Sequence, residues 1–154
     1  MKYWLLKSEP STFGIDDLKN LPNKTDHWDG VRNYQARNMM RDEMKKGDLA
    51  FFYHSNCKDI GIVGMMTITK EGYVDHTAFD PQSDHYDPKS NPEKPAWYMV
   101  DVKFKQKFAK TLLLDTLKMQ EPLKDLALLR KGNRLSVMPV GEEEWNFILS
   151  MVGN

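Results

Sequence analysis

A single cysteine, Cys57, stands in a chain of 154 residues. Without a partner it excludes an internal disulfide framework and fits a reducing compartment. Long apolar runs are missing too. Lys7 and Glu9 interrupt the opening MKYWLLKSEP too early for a secretory signal. No stretch approaches the roughly 20 apolar residues of a membrane span. These absences predict a soluble intracellular protein, cytoplasmic, or nuclear if the organism is eukaryotic. Net charge is absent as well: 22 Lys and Arg balance 22 Asp and Glu, so the whole molecule gives no polyanion signal. There is no internal repeat and no low-complexity segment. No expected strand runs into a glycine-rich phosphate loop, which argues against a doubly wound nucleotide-binding sheet. His27, His54, His76 and His85 lack short ligand spacing, so a zinc site is not expected. His76, Asp80, Asp84, His85 and Asp87 have ion-clasping chemistry, but an acidic loop is ordinarily just solvated. No metal and no cofactor are expected.

What is present suits one globular domain over residues 1–154: 40% hydrophobic and 29% charged residues. Strands are expected at 3–7, 49–54, 60–69, 97–108 and 135–140. The strand over 97–108 alternates Val100, Val102 and Phe104 against Asp101, Lys103 and Lys105, the pattern of a half-buried strand. Helices are expected at 11–21, closed by Pro22, at 34–44, where Ala36, Met39, Met40 and Met44 share a face, and at 122–129. A helix or turn covers 112–119. The clearest helix is 142–152, with Trp145, Ile148, Leu149 and Val152 on one face, three glutamates at its positive end and Gly153 at its close. Residues 28–33 read as a turn, and 76–95 as a long acidic surface loop. The class is therefore α+β, a small mixed sheet or partly closed barrel with helices at its rim. Trp4, Trp145 and the methionines of 34–44 are expected in the core.

Charge is segregated. Between Lys103 and Arg134 nine basic residues face three acids, whereas Glu71 to Ala96 holds six acids and two lysines. A neutral protein with one basic segment still holds phosphates locally.

Nucleophilic chemistry finds little support. Ser8, Ser55 and Cys57 are candidate nucleophiles with His54 as base, but His54 and Ser55 point to opposite faces of a strand. Lys7 and Glu9 share a face and read as an ion pair. More informative are four segments that combine aromatics with polar groups at strand ends: 7–10, 28–34, 51–56 and 134–136. A planar base needs flat surface for stacking and fixed donors and acceptors at its edge. These segments supply both.

The same segments resemble the EVE domain, and within it the thymocyte nuclear protein family. The resemblance lies in WLLKSEP at 4–10, WDGVRNYQARN at 28–38 and AFFYHSNCK at 50–58. It continues in Asp75-His76-Thr77, His85-Tyr86-Asp87-Pro88, Trp97 with Met99-Val100-Asp101-Val102, and Arg134-Leu135-Ser136. It implies a PUA-like fold, a small, curved mixed β-barrel of about five to six strands with peripheral helices. EVE domains are similar to YTH domains, which read methylated adenine, and family members are linked to modified bases in DNA or RNA, including modified cytosine. Lys7, Ser8 and Trp28 look like counterparts of the YTH pocket residues.

The expected function is a non-enzymatic reader that takes one modified, methylated base into an aromatic pocket. Its partner is nucleic acid, DNA or RNA, and the protein is expected to be a monomer. The pocket is expected from Lys7, Ser8, Glu9, Trp28, Asp29, Gly30, Tyr34, Tyr53, His54, Ser55 and Trp97. Phosphate contacts are expected from Arg32, Arg37, Lys105, Lys131 and Arg134. Two other classes remain open. One is an ASCH-like hydrolase or nuclease using Lys7 with Glu9, or Tyr53. The other is a protein-interaction module presenting the loop 76–95.

Overall fold

The computed structural model describes residues 1–152; Gly153, expected to close the last helix, lies outside the described residues. Six strands are present: β1 (Tyr3–Ser8), β2 (Thr25–Trp28), β3 (Leu49–His54), β4 (Gly61–Val74), β5 (Tyr98–Leu113) and β6 (Val137–Val140). Five α-helices accompany them: α1 (Pro10–Phe13), α2 (Ile15–Lys19), α3 (Tyr34–Asn38), α4 (Leu114–Lys118) and α5 (Glu142–Met151). The strands form one sheet in the order β2-β5-β4-β3-β1-β6. β1 runs parallel to β3, with Tyr3 opposite Leu49 and Ser8 opposite His54. The other pairings are antiparallel. The α+β class with a mixed sheet is as expected. β2 and β6 stay at opposite edges, so the barrel does not close.

The central strands are buried on both faces. The run Trp4-Leu5-Leu6 is buried throughout, as is Ala50-Phe51-Phe52-Tyr53, and side chains alternate between faces along a strand. Trp4, Leu6, Ala50 and Phe52 therefore enter one core with Ile15, Leu18, Trp28, Val31, Ala36 and Met40. Leu5, Phe51 and Tyr53 enter a second core with Leu117, Leu123, Met138, Trp145 and Ile148. There Trp145 stacks on Phe51 with ring centroids 3.8 Å apart. Trp4 donates its indole N–H to the buried Asp48 at 3.0 Å, as a buried indole requires.

Four elements differ from expectation. The helix over 34–44 is α-helical only over Tyr34–Asn38 and continues as a π-helical turn over Met39–Glu43. The helix over 11–21 is two helices, broken at Gly14. The break is stabilised by caps: the Gly14 N–H is taken by Asp17 at 2.7 Å, and that of Ile15 by His54 Nε2 at 3.1 Å. The helix over 122–129 is replaced by two 3-10 turns, Glu121–Leu123 and Ala127–Leu129. Leu126 between them is extended (φ −60°, ψ 130°), which lets Leu123, Leu126 and Leu128 all reach the second core. Strand β2 lies on the residues just before the expected turn at 28–33. Its sequence, Thr-Asp-His-Trp, buries only Trp28 and carries no apolar alternation.

The His54 contact has a pH consequence. Accepting the Ile15 N–H requires a neutral ring with its proton on Nδ1. Burial pushes the pKa of His54 below its ordinary 6.5, helped by Lys107 and opposed by Asp16 and Asp17. The unfolded chain takes up a proton near that ordinary value that the folded protein resists. Stability is therefore complete above it and is lost as pH falls through the depressed folded value. Urea midpoints should drop between about pH 8 and about pH 5. His54→Gln, which keeps an acceptor and cannot titrate, should show a smaller drop. An equal drop in both proteins would assign the dependence to other groups.

Candidate functional site

The parallel pairing of β1 with β3 forces a crossover, and that crossover carries α1, α2, β2 and α3. It delivers residues 26–31 to the C-terminal end of β1. A cavity of about 360 Å³ opens there, lined by Lys7, Ser8, Glu9, Thr12, Phe13, Asp26, His27, Trp28, Asp29, Gly30, Val31, His85 and Ser136. That volume lies at the small end of small-ligand clefts, roughly 300–1,000 Å³.

Its apolar wall is Trp28, Phe13 and Val31. Trp28 is only 6% exposed. It meets Phe52 edge-to-face at 5.2 Å and Phe13 at 6.2 Å, so its ring cannot tilt freely. The polar side centres on Asp29. His85 Nδ1 lies 3.0 Å from its carboxylate and His27 Nε2 lies 3.9 Å away. Asp29 is thus an acceptor held between two imidazoles in the wall of the cavity.

The acidic loop supplies the far wall, and a buried acid holds it there. Asp75 is fully buried. One carboxylate oxygen accepts the Gly30 N–H at 2.9 Å and an Arg32 N–H at 2.9 Å. The other accepts the Thr77 backbone N–H at 2.9 Å and the Thr77 hydroxyl. Burial pushes the Asp75 pKa up, but the hydrogen bonds from Thr77, Gly30 and Arg32 outweigh it, and the carboxyl sits below its ordinary value. Arg32 in turn donates twice to the His85 carbonyl, at 2.6 and 3.2 Å. Gly30 completes the fit. Its φ is +79°, and the His85 ring lies 2.6 Å from where a β-carbon would stand, so no other residue fits there without displacing His85.

The cavity brings together Lys7, Ser8, Glu9, Trp28, Asp29 and Gly30 of the expected pocket residues. The Ser8 hydroxyl donates to the Phe13 carbonyl at 2.7 Å. Lys7 and Glu9 do not pair with one another among the described residues. The Lys7 ammonium lies 5.6 Å from the Tyr53 ring centre, and burial lowers its pKa. Glu9 accepts from Asn56 at 3.1 Å.

The other five expected pocket residues lie outside the cavity wall. Tyr53 points into the second core. Burial, with a smaller contribution from Cys57, pushes its phenol up to about 12, which leaves it protonated and unsuited to act as a base. His54 caps α2. Ser55 donates its backbone N–H to the Ser8 carbonyl. Trp97 is buried, donates to Asp87 at 2.7 Å and stacks on the exposed Tyr34 at 4.8 Å. Two expected phosphate contacts are likewise engaged within the protein. Arg32 clasps Asp75 and the loop, and Arg37 donates to the Ala96 carbonyl at 2.6 Å. Lys105, Lys131 and Arg134 are exposed.

His85, His27, Asp26, Thr12, Phe13, Val31 and Ser136 line the cavity without having been placed there from sequence. Ser136 and Val31 fall within segments singled out for their aromatic and polar mix, and His85 within a stretch carrying the EVE resemblance. Nothing in the spacing tied the histidine to a turn 55 residues earlier.

A profile of the EVE domain matches residues 2–151. The chain belongs to the EVE domain family. Its fold is PUA-like. Zebrafish thymocyte nuclear protein 1 is 53% identical over 165 residues, covering 96% of this chain and 71% of that protein. The crystal structure of human THYN1 protein in complex with 5-methylcytosine-containing DNA superposes with a TM-score of 0.95 at 45% identity, covering 100% of this chain and 99% of that one. An ASCH protein from Zymomonas mobilis, at 10% identity and a TM-score of 0.55, shares the fold alone. No helix among the described residues is long and apolar enough to cross a membrane, and no three or more His, Cys, Asp or Glu side chains among them are placed to hold a metal ion together.

Proposed function

We propose that this EVE protein reads a methylated base, 5-methylcytosine first among candidates, by drawing it from its strand into the cavity against Trp28. The observation that carries the reading is the cavity itself: a fixed indole wall and a carboxylate line it together, in a chain that superposes end to end on a DNA-bound relative. Unstacking the base costs a few kcal/mol, and stacking on an aromatic recovers about 1–3 kcal/mol. Asp29 is the acceptor that suits the exocyclic amine of cytosine. The methyl group, filling apolar space beside Phe13 and Val31, adds about 0.8 kcal/mol, or about fourfold in affinity. Phosphates are held by exposed cations such as Lys105, Lys131 and Arg134. The protein acts as a non-enzymatic, single-domain monomer, in the nucleus where the cell has one.

Binding at one fixed salt concentration to matched oligonucleotides tests this. The panel holds DNA and RNA, single and double stranded, with cytosine, 5-methylcytosine, 5-hydroxymethylcytosine, adenine and N6-methyladenine. At least fourfold preference for one methylated base is expected. Equal binding across the panel overturns the reading. Recovered oligonucleotide of unchanged mass is expected, and loss of a base would instead identify a hydrolase.

A further inference from the structure

Pocket and basic surface are joined by the edge strand β2. At its far end from the cavity lies a second depression, lined by Lys19, Leu21, Asn23, Lys24, Lys103, Phe104 and Lys105. The Lys19 and Lys24 ammonium groups sit 5.9 and 5.7 Å from the Phe104 ring centre. Lys103 pairs across the sheet with Thr25, the first residue of β2, and Lys105 follows it beyond the edge. None of the four lysines forms an ion pair among the described residues, although Lys107 nearby is paired with Asp16 at 2.9 Å. Lys19 and Lys24 set two like charges over one half-buried ring, and Lys103 and Lys105 flank that ring along β5 at the rim of the same depression; an anion relieves their mutual repulsion.

Backbone conformation reinforces the cluster. Asn23 and Lys24 are successive non-glycine residues at φ 55° and 53°, an uncommon left-handed pair. Such conformations persist where the surroundings impose them and tend to mark functional positions. Phe104 packs against the same core as Trp28 and Phe13, so the ring under Lys19 and Lys24 lies on the same face of the sheet as the cavity's indole wall. From Lys24 along the four residues of β2 to Trp28 is about 13 Å, or roughly four base steps measured along a duplex axis at 3.4 Å each.

We propose that Lys19, Lys24, Lys103 and Lys105 form a phosphate track that runs along β2 into the pocket and grips the strand about four nucleotides from the recognised base. The inference rests on the base-reading function proposed above. It assigns a direction to the strand path: the backbone on one flank of the base is held along β2.

The test compares wild type with Lys24→Gln/Lys103→Gln/Lys105→Gln and with the corresponding triple arginine variant, using a methylated and an unmethylated oligonucleotide across a salt series. The glutamine variant should bind both oligonucleotides about tenfold more weakly and lower the slope of log affinity against log salt by about 1 to 3. The methyl preference should persist, and the arginine variant should restore the slope. Unchanged slope and affinity in the glutamine variant overturn the track, whatever the methyl preference. A wild type without methyl preference whose slope still falls in the variant overturns the base reading and leaves the track standing.

Discussion

Asp75→Asn should lower stability by about 3–5 kcal/mol, the cost of breaking a buried charged pair by removing one partner. The substitution is nearly isosteric, so no cavity contributes. All four groups that meet the Asp75 carboxylate are donors: the Gly30 and Thr77 backbone N–H groups, the Thr77 hydroxyl and the Arg32 guanidinium. An asparagine amide faces one side of that arrangement with its own N–H₂, donor against donor. It also leaves Arg32, only 24% exposed, without its counter-ion. Domains are typically stable by about 5–15 kcal/mol, so the loss should appear as a fall in melting temperature of roughly 10 °C. Function should suffer while the protein is still folded, because Arg32 positions the His85 carbonyl and His85 closes the cavity over Asp29. Methyl preference measured well below the melting temperature should therefore fall as well. A variant that melts within a degree or two of wild type would show that Asp75 does not hold the loop.

That clasp also explains what the sequence did and did not reveal. The central strands were legible because Trp4-Leu5-Leu6 and Phe51-Phe52-Tyr53 are apolar at every position, as strands buried on both faces must be. Helix α5 was legible from its 3.6-residue period and its glutamate-rich start. Strand β2 was not. It is an edge strand whose single buried residue is Trp28, and its pairing with β5 depends on register supplied by the rest of the sheet. The turns at 121–129 were hidden for a similar reason. Leu123, Leu126 and Leu128 satisfy a helical apolar stripe loosely, but the second core takes them in extended and 3-10 backbone.

Half of the site was local and half was not. Lys7 through Glu9 and Trp28 through Gly30 lie at strand ends, where small folds build pockets, and they could be picked out together. Arg32 and Arg37 read as phosphate ligands in the sequence because arginines beside a candidate pocket commonly are. Whether a guanidinium faces solvent or a buried carboxylate is decided by the partner, and Asp75 is 43 residues away along the chain. Aromaticity alone suggests Tyr34 and Trp97 for the pocket; the structure stacks them on each other outside its wall. His85 reached the site only because the loop folds back, a long-range event without periodic signature.

Trp28 carries the second large expectation, and its variants must separate wall from core. The side chain is an integral part of the first core, so Trp28→Ala would cost about 3–5 kcal/mol and confound binding with folding. Trp28→Leu and Trp28→Phe are the informative pair. Both keep apolar volume against Phe52 and Phe13, and both should lose some stability, read from urea midpoints. Only phenylalanine retains a flat face. Stacking is worth about 1–3 kcal/mol per base, so the leucine variant should bind the methylated oligonucleotide about 5- to 150-fold more weakly, with its methyl preference gone. The phenylalanine variant should lie between leucine and wild type. Affinity that follows the stability order alone, or a leucine variant that still prefers the methylated base, would remove Trp28 from the recognition surface and leave it as a core residue beside the cavity.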